Sequence, residues 1–302
     1  MHIPDGFLSP PVWISLDAAA VPAIALVARG AKRHLEQRRI PLLGVMGAFV
    51  FAAQMINFPV GVGTSGHLIG AALLAYTLGP AAASVVLTAI LVVQALVFQD
   101  GGTLALGANV LNMAVIGLLA GYLPYQIWGG GRWRRPAIFL GAMLSVMVSA
   151  LLALSELLVS GVAMPATALR VSIGLFMIYG LLEGAITVAV LGALESMNVG
   201  FLRVPEASVS HRFKWVGLAA ILLATFGALI ASAYPDGIQR LTSEIGIGSH
   251  GRLRISTPLA NYEAAFFQSG WLRKAAAGVA GVVVIYGVCA LGGRILGRQR
   301  GK

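Results

Sequence analysis

Residues Pro80-Ala81-Ala82-Ala83-Ser84-Val85-Val86-Leu87-Thr88-Ala89-Ile90-Leu91-Val92-Val93-Gln94-Ala95-Leu96-Val97-Phe98 carry no charged side chain. A helix rises about 1.5 Å per residue, so a run of this length suffices to cross about 30 Å of hydrocarbon. Eight further apolar segments lie near 12–28, 40–57, 67–78, 108–127, 136–160, 170–194, 215–233 and 273–292. The segment at 67–78 is short for a span and is broken from the next by Gly79-Pro80, so it reads as tilted, re-entrant or part of a broken helix. The whole chain is 58% hydrophobic and only 11% charged, with a mean hydropathy of +0.86. Soluble domains carry about a quarter charged residues. The expected fold is therefore all-α: a polytopic transmembrane helix bundle of about nine spans.

The net charge of +10 does not point to nucleic acid, because the basic residues fall in short clusters between apolar runs. Arg29, Lys32, Arg33, Arg38 and Arg39 form one cluster, and Arg132, Arg134 and Arg135 another. Arg203, Arg212 and Lys214, then Arg294, Arg298, Arg300 and Lys302, complete the series. Alternate loops keep only Arg170, Arg240, Arg252, Arg254, Arg273 and Lys274. This asymmetry predicts an N-out, C-in topology with the N-terminus and the loop holding His67 on the same, outer side. A single cysteine, Cys289, lies in an apolar run, so no disulfide framework or cysteine-based zinc site is expected.

Chemistry concentrates at Met1-His2-Ile3-Pro4-Asp5-Gly6-Phe7. A free amine at Met1, the His2 amide nitrogen and His2 Nδ1 can close five- and six-membered chelate rings around one metal ion. A deprotonated amide favours metals high in the Irving–Williams order and tetragonal or square-planar nitrogen ligation. Such a plane lacks one ligand, and His67, in Val60-Gly61-Val62-Gly63-Thr64-Ser65-Gly66-His67, is the best candidate. The plain alternative is a frayed terminal histidine and a satisfied loop histidine. Three features favour the chelate. A bulky second residue keeps Met1 in place, Pro4-Asp5-Gly6 reads as a tight turn, and no Lys or Arg precedes Arg29, unlike a cleaved signal peptide.

Met1-His2-Ile3-Pro4-Asp5-Gly6-Phe7-Leu8, Phe51-Ala52-Ala53-Gln54-Met55-Ile56-Asn57-Phe58-Pro59-Val60 and Gly63-Thr64-Ser65-Gly66-His67-Leu68-Ile69-Gly70 together resemble the CbiM/NikM family. Its members are substrate-capture subunits of energy-coupling-factor transporters for cobalt and nickel. The resemblance covers roughly the first two thirds of the chain. It implies Met1, His2 and His67 as metal ligands, Co²⁺ or Ni²⁺ as cargo, and residence in the cell membrane. It also implies a transmembrane coupling subunit and two ATP-binding cassette ATPases as partners. Phe98-Gln99-Asp100-Gly101-Gly102 and Leu104-Ala105-Leu106-Gly107-Ala108-Asn109 also match the family pattern and are expected near the site.

Gln54, Asn57, Thr64 and Ser65 are candidate partners for the ligating imidazoles, against ordinary helix-end solvation. Gly44, Ala48 and Ala52, at spacing four, form a small-residue stripe that either packs internally or admits a partner helix; the resemblance favours the coupling subunit. Glu156 and Glu183 fall inside apolar spans, where a carboxylate is a functional candidate; pairing with serine or backbone groups is the favoured reading. His34 and His211 read as solvated inner-loop residues, and His250 as an outer-loop residue without support for a metal role.

The texture changes after Ala193. Residues 1–195 read as the capture domain, 196–214 as a polar inner linker, and 215–302 as two spans around an outer loop. Tyr234-Pro235-Asp236-Gly237-Ile238-Gln239 in that loop resembles the Pro-Asp-Gly-Leu-Glu motif of the family's two-span accessory component. Ile238 and Gln239 depart from it, so any role resting on that final carboxylate is in doubt, while the turn should persist. This module is expected to assist loading or coupling, leaving equilibrium metal binding to the remainder. The sequence lacks Gly-x-x-x-x-Gly-Lys-Ser/Thr, His-Glu-x-x-His and Gly-x-Ser-x-Gly, so neither ATP hydrolysis nor protease chemistry is expected in this chain. The competing readings are a membrane metalloenzyme using His67, Glu156 and Glu183, and an ATP-independent metal channel.

Overall fold

A computed structural model describes residues 1–61, 63–197, 213–232, 234–244 and 257–297. His211, His250, the basic residues 203, 212, 252, 254, 298, 300 and 302, and most of the 196–214 linker lie outside these residues, as do the side chains of His34 and Gln239.

The apolar runs fold as helices because only a helix satisfies every main-chain group within one segment of a bilayer. Among the described residues six are long and apolar enough to cross one: Pro10–Arg33, Pro80–Phe98, Leu106–Trp128, Gly131–Val159, Ala166–Ser196 and Gly270–Gly297. Their regular portions include α1 (Pro10–His34), α4 (Pro80–Val93), α7 (Arg134–Val159) and α8 (Ala166–Met197). α5 (Leu106–Asn109) continues through a π-helical stretch, Val110–Gly117, into α6 (Leu118–Trp128). The remaining apolar segments form shorter helices: α2 (Ile40–Gln54), α3 (Ala71–Leu78) and α9 (Phe213–Phe226). Gly79, at φ +81°, ends α3, and Pro80 starts α4, where the first helical position suits a residue with a fixed φ and no N–H.

α2 is the hub. It is buried along most of its length and packs against α3, α4, α9 and α11 (Gly270–Gly297). The stripe expected to meet a partner is covered from within the chain. A Cβ at Gly44 would sit 2.8 Å from the Tyr286 ring of α11, and Ala48 and Ala52 are fully buried. The glycines of α11 return the fit, since a Cβ at Gly281 would strike the Phe51 ring of α2 at 2.3 Å. Small residues here admit the chain's own C-terminal helix, and close packing of this kind holds helices together in lipid.

Among the described residues the fold departs from all-α at one hairpin. Asn57–Gly61 (β1) and Thr64–His67 (β2) form an antiparallel hairpin with Asn57 opposite His67 and Phe58 opposite Gly66. α2 therefore stops at Gln54, short of the apolar segment's end. Asn57-Phe58-Pro59-Val60 pairs as a strand, and Pro59 fits there because β1 is an edge strand, where a residue without an N–H is tolerated. α10 (Gly237–Glu244) packs on β2 and α8, bringing the C-terminal region over the hairpin.

Candidate metal site

The chain's first residues are pinned in the interior. Met1, His2 and Ile3 are 2%, 4% and 0% exposed. The Asn109 amide binds Ile3 in both directions: the Ile3 N–H donates to Oδ1 at 2.8 Å, and Nδ2 donates to the Ile3 carbonyl at 3.1 Å. The Gly102 N–H donates to the same carbonyl at 2.9 Å. Asp5 accepts from Thr103 Oγ1 at 2.8 Å and from the Leu104 N–H at 2.7 Å. The backbones approach so closely that a Cβ at Gly102 would lie 2.7 Å from the Asp5 nitrogen, which accounts for the glycine.

His67 closes β2, and all four β2 residues are buried. The turn after it requires Gly70 at φ +71°. Glu183 of α8 accepts the Ile69 N–H at 2.9 Å and the Gly70 N–H at 2.8 Å. Gln54 Nε2 donates to the Ile69 carbonyl at 2.8 Å, and the Tyr179 hydroxyl donates to the His67 carbonyl. His67 Nδ1 lies 3.1 Å from the Leu68 carbonyl, an acceptor that directs Nε2 to serve as the free base.

These two anchorages bring the expected ligands together. The Met1 amine is 3.2 Å from His67 Nε2, and the two imidazole centroids are 5.3 Å apart. Burial, helped by the neighbouring Met1 amine and His2, pushes His67 down to about 3; burial pushes the Met1 amine down to about 5. Both nitrogens are thus neutral bases with lone pairs at neutral pH. Among the described residues no three His, Cys, Asp or Glu side chains form a metal-holding group. A metal here needs the amine and amide nitrogens as well as the imidazoles.

Two carboxylates flank the nitrogens. Asp100 Oδ1 lies 3.2 Å from His2 Nδ1, and its Oδ2 accepts from the Tyr262 hydroxyl at 2.6 Å. Burial works to raise Asp100, but the His2 contact outweighs it and holds the carboxyl below the usual range. Burial and the Asp100 charge push the Tyr262 phenol well above its ordinary value, so it remains a donor. Asp236 divides its carboxylate: Oδ1 caps the first turn of α10 by accepting the Ile238 N–H at 2.9 Å, while Oδ2 pairs with the Met1 amine and lies 3.9 Å from His67 Nε2.

The expected helpers take other roles. Ser65 Oγ donates to the Tyr234 carbonyl at 2.6 Å, and the Ser65 N–H donates to the Pro235 carbonyl at 2.9 Å, so Ser65 holds the Pro235-Asp236-Gly237 turn. The Asn57 carbonyl accepts the Ser232 N–H at 2.8 Å. Thr64 Oγ1 is buried without a partner among the described residues. Gln54 braces the turn after His67. None of these hydrogen bonds of the four candidates reaches an imidazole. Asp100 and the Leu68 carbonyl hold the imidazole-partner places, and the hairpin commits the Ser65 hydroxyl to the C-terminal segment. Glu156 accepts from Asn112 Nδ2 at 2.8 Å, and Glu183 is spent on main-chain donors, so both carboxylates brace the structure. Asp100 carried a sequence signal in its Asp-Gly-Gly turn, and Asp236 in Pro-Asp-Gly. Tyr262 had none beyond being an aromatic in a polar loop.

A helix bundle with buried imidazole, amine and amide nitrogens at one end defines a polytopic membrane protein built to hold a transition metal. The chain belongs to the CbiM family, described as the cobalt uptake substrate-specific transmembrane region, which matches residues 2–200. A fused nickel transport protein of Rhodobacter capsulatus is 33% identical across the full length of both chains. That full-length match shows the C-terminal two-helix module to be the accessory component fused to the capture region. The crystal structure of a truncated transition metal transporter matches with a TM-score of 0.57 at 36% identity, covering 65% of this chain and 99% of that one.

Proposed function

We propose that this chain is the metal-capturing subunit of an energy-coupling-factor transporter. It takes Ni²⁺ or Co²⁺ at the outer face of the cell membrane with the Met1 amine, the His2 amide, His2 Nδ1 and His67 Nε2. The observation that carries this reading is the 3.2 Å approach of the Met1 amine to His67 Nε2, across 66 residues of sequence. The family is described by cobalt uptake and the Rhodobacter capsulatus relative by nickel transport, which frames the choice of cargo. In this reading residues 1–195 form the capture domain, 196–214 the inner linker and 215–302 the accessory domain, giving nine spans with the N-terminus outside. The contact of Met1 with His67 supports placing both on one side. A transmembrane coupling subunit and two ATPases supply the energy.

The test is uptake of radiolabelled Ni²⁺ and Co²⁺, singly and in competition, in cells carrying the chain with and without candidate ATPases. The expected result is ATPase-dependent uptake of at least one ion, abolished by His67→Ala at unchanged membrane abundance. Equal uptake by His67→Ala would contradict the ligand set. Uptake without any ATPase would favour the channel.

A further inference from the structure

We propose that the Tyr262 hydroxyl, supplied by the C-terminal module, positions both imidazole ligands of the metal site from a single atom. This inference rests on the metal-capture reading above. Two hydrogen-bonded arms leave that oxygen. In the first, Tyr262 donates to Asp100 Oδ2 at 2.6 Å, and Asp100 Oδ1 holds His2 Nδ1 at 3.2 Å. In the second, Gln94 Nε2 donates to the Tyr262 oxygen at 3.1 Å and to Gln54 Oε1 at 2.9 Å. Gln54 in turn donates to the Ile69 carbonyl at 2.8 Å, two residues beyond His67. Each hydrogen bond in the two arms runs with correct polarity, while Gln94 Oε1 is buried without a partner among the described residues.

The backbone is shaped around this junction. Asn261 and Tyr262 both adopt left-handed conformations, at φ +55° and +57°, which non-glycine residues seldom do. The Tyr262 ring stacks on Phe98 at 4.8 Å and 15°, fixing the phenol's direction. Gln94 opens a π-helical turn, Gln94–Phe98, that ends in Gln99 at φ +55° and delivers Asp100. Irregular turns of this kind concentrate at functional sites.

The junction matters because the metal chelate requires His2 Nδ1, which Asp100 now holds. His2 Nε2 is buried and has no partner among the described residues. When Nδ1 turns to the metal, Nε2–H becomes the donor for the same carboxylate, and Tyr262 keeps that carboxylate in place through the exchange. A ligating imidazole ordinarily gives its second N–H to such an acceptor, and loss of that support costs roughly ten- to a hundredfold in affinity.

The experiment measures Ni²⁺ affinity and stoichiometry by chelator competition on the purified full-length chain and on Tyr262→Phe, Asp100→Asn, their double variant, Gln94→Leu and His67→Ala. Tyr262→Phe keeps the ring on Phe98 and is expected to raise the Kd roughly ten- to a hundredfold at unchanged stoichiometry and melting temperature. In the double variant the Tyr262 effect should largely vanish, because the arm is already cut. Gln94→Leu should weaken binding by a smaller factor. An unchanged Kd for both Tyr262→Phe and Gln94→Leu, or fully additive costs with Asp100→Asn, would overturn the inference. His67→Ala separates the two readings. If it binds normally the metal site itself fails, and if it alone loses metal only the positioning role fails.

Discussion

The two halves of the site are held in different ways. His67 stands on a strand, and the turn behind it is fixed by main-chain groups: the Glu183 carboxylate grips two N–H groups, and Gln54 and Tyr179 take adjoining carbonyls. His2 stands on no regular element. Its backbone is clamped next door by Asn109, and its ring is held by Asp100, which answers to Tyr262. In the proposed capture reading the fold thus offers one preset candidate ligand and one adjustable set, which suits a site that must admit an ion and release it. Both halves touch the C-terminal module, the His2 half through Asp236 and Tyr262, and the His67 half through Ser65 and the Gln94–Gln54 arm.

The largest effect should come from breaking the fixed half. Glu183→Ala leaves the Ile69 and Gly70 N–H groups buried without an acceptor, and each such group costs about 1–3 kcal/mol. Thermal unfolding in detergent should show a clearly lowered midpoint together with lost metal binding, whereas Glu183→Gln, which keeps one acceptor oxygen, should lie between. On the adjustable half, Asn109→Ala removes two hydrogen bonds of about 1 kcal/mol each. It should weaken Ni²⁺ binding by roughly ten- to thirtyfold in a chelator competition while leaving the melting temperature almost unmoved. A larger loss of stability than of affinity would erase the contrast.

Truncation in the 196–214 linker sharpens the comparison further. The sequence suggests that binding would survive unchanged. The contacts of Asp236 with the Met1 amine and of Tyr262 with Asp100 lead to a different expectation, a weaker but retained affinity in the purified remainder. Undiminished binding in a well-folded truncation would restore the simpler division of labour.

The least localised effect is the pH dependence near neutrality, which reads both halves at once. With the Met1 amine pushed down to about 5 and His67 to about 3, neither holds a proton at pH 7. The proton that must leave on loading there is the amide's, so the apparent affinity should fall by about tenfold or more for each unit of acidification. Below about pH 5 the amine also competes for its proton and the fall should steepen. A flat affinity between pH 8 and 6 would argue against amide ligation.

The bundle was legible in the sequence because long apolar runs fold as helices in lipid, and each apolar segment contains one. Lengths were less legible, since α2 yields its last residues to the hairpin, and an Asn-Phe-Pro-Val run reads as apolar whether helical or extended. The candidate ligands were legible as chemistry: amine, amide and imidazole spacing at Met1-His2 is a local property. Their surroundings were not. Asp100, Asp236 and Tyr262 reach the site only through long-range packing, and Gly44 meets Tyr286 across more than two hundred residues. A small-residue stripe announces close approach without saying which helix approaches.

The central claim is that the chain's own amino terminus is a ligand, and blocking that amine tests it most directly. Full-length protein with Met1 acetylated or extended by an uncleaved tag should be purified beside protein tagged at the C-terminus, with mass spectrometry confirming each first residue. Metal stoichiometry should be measured on both. The C-terminally tagged chain is expected to carry equimolar Ni²⁺ or Co²⁺, and the blocked chain none. Equal metal content and affinity in the blocked chain would contradict the terminal chelate.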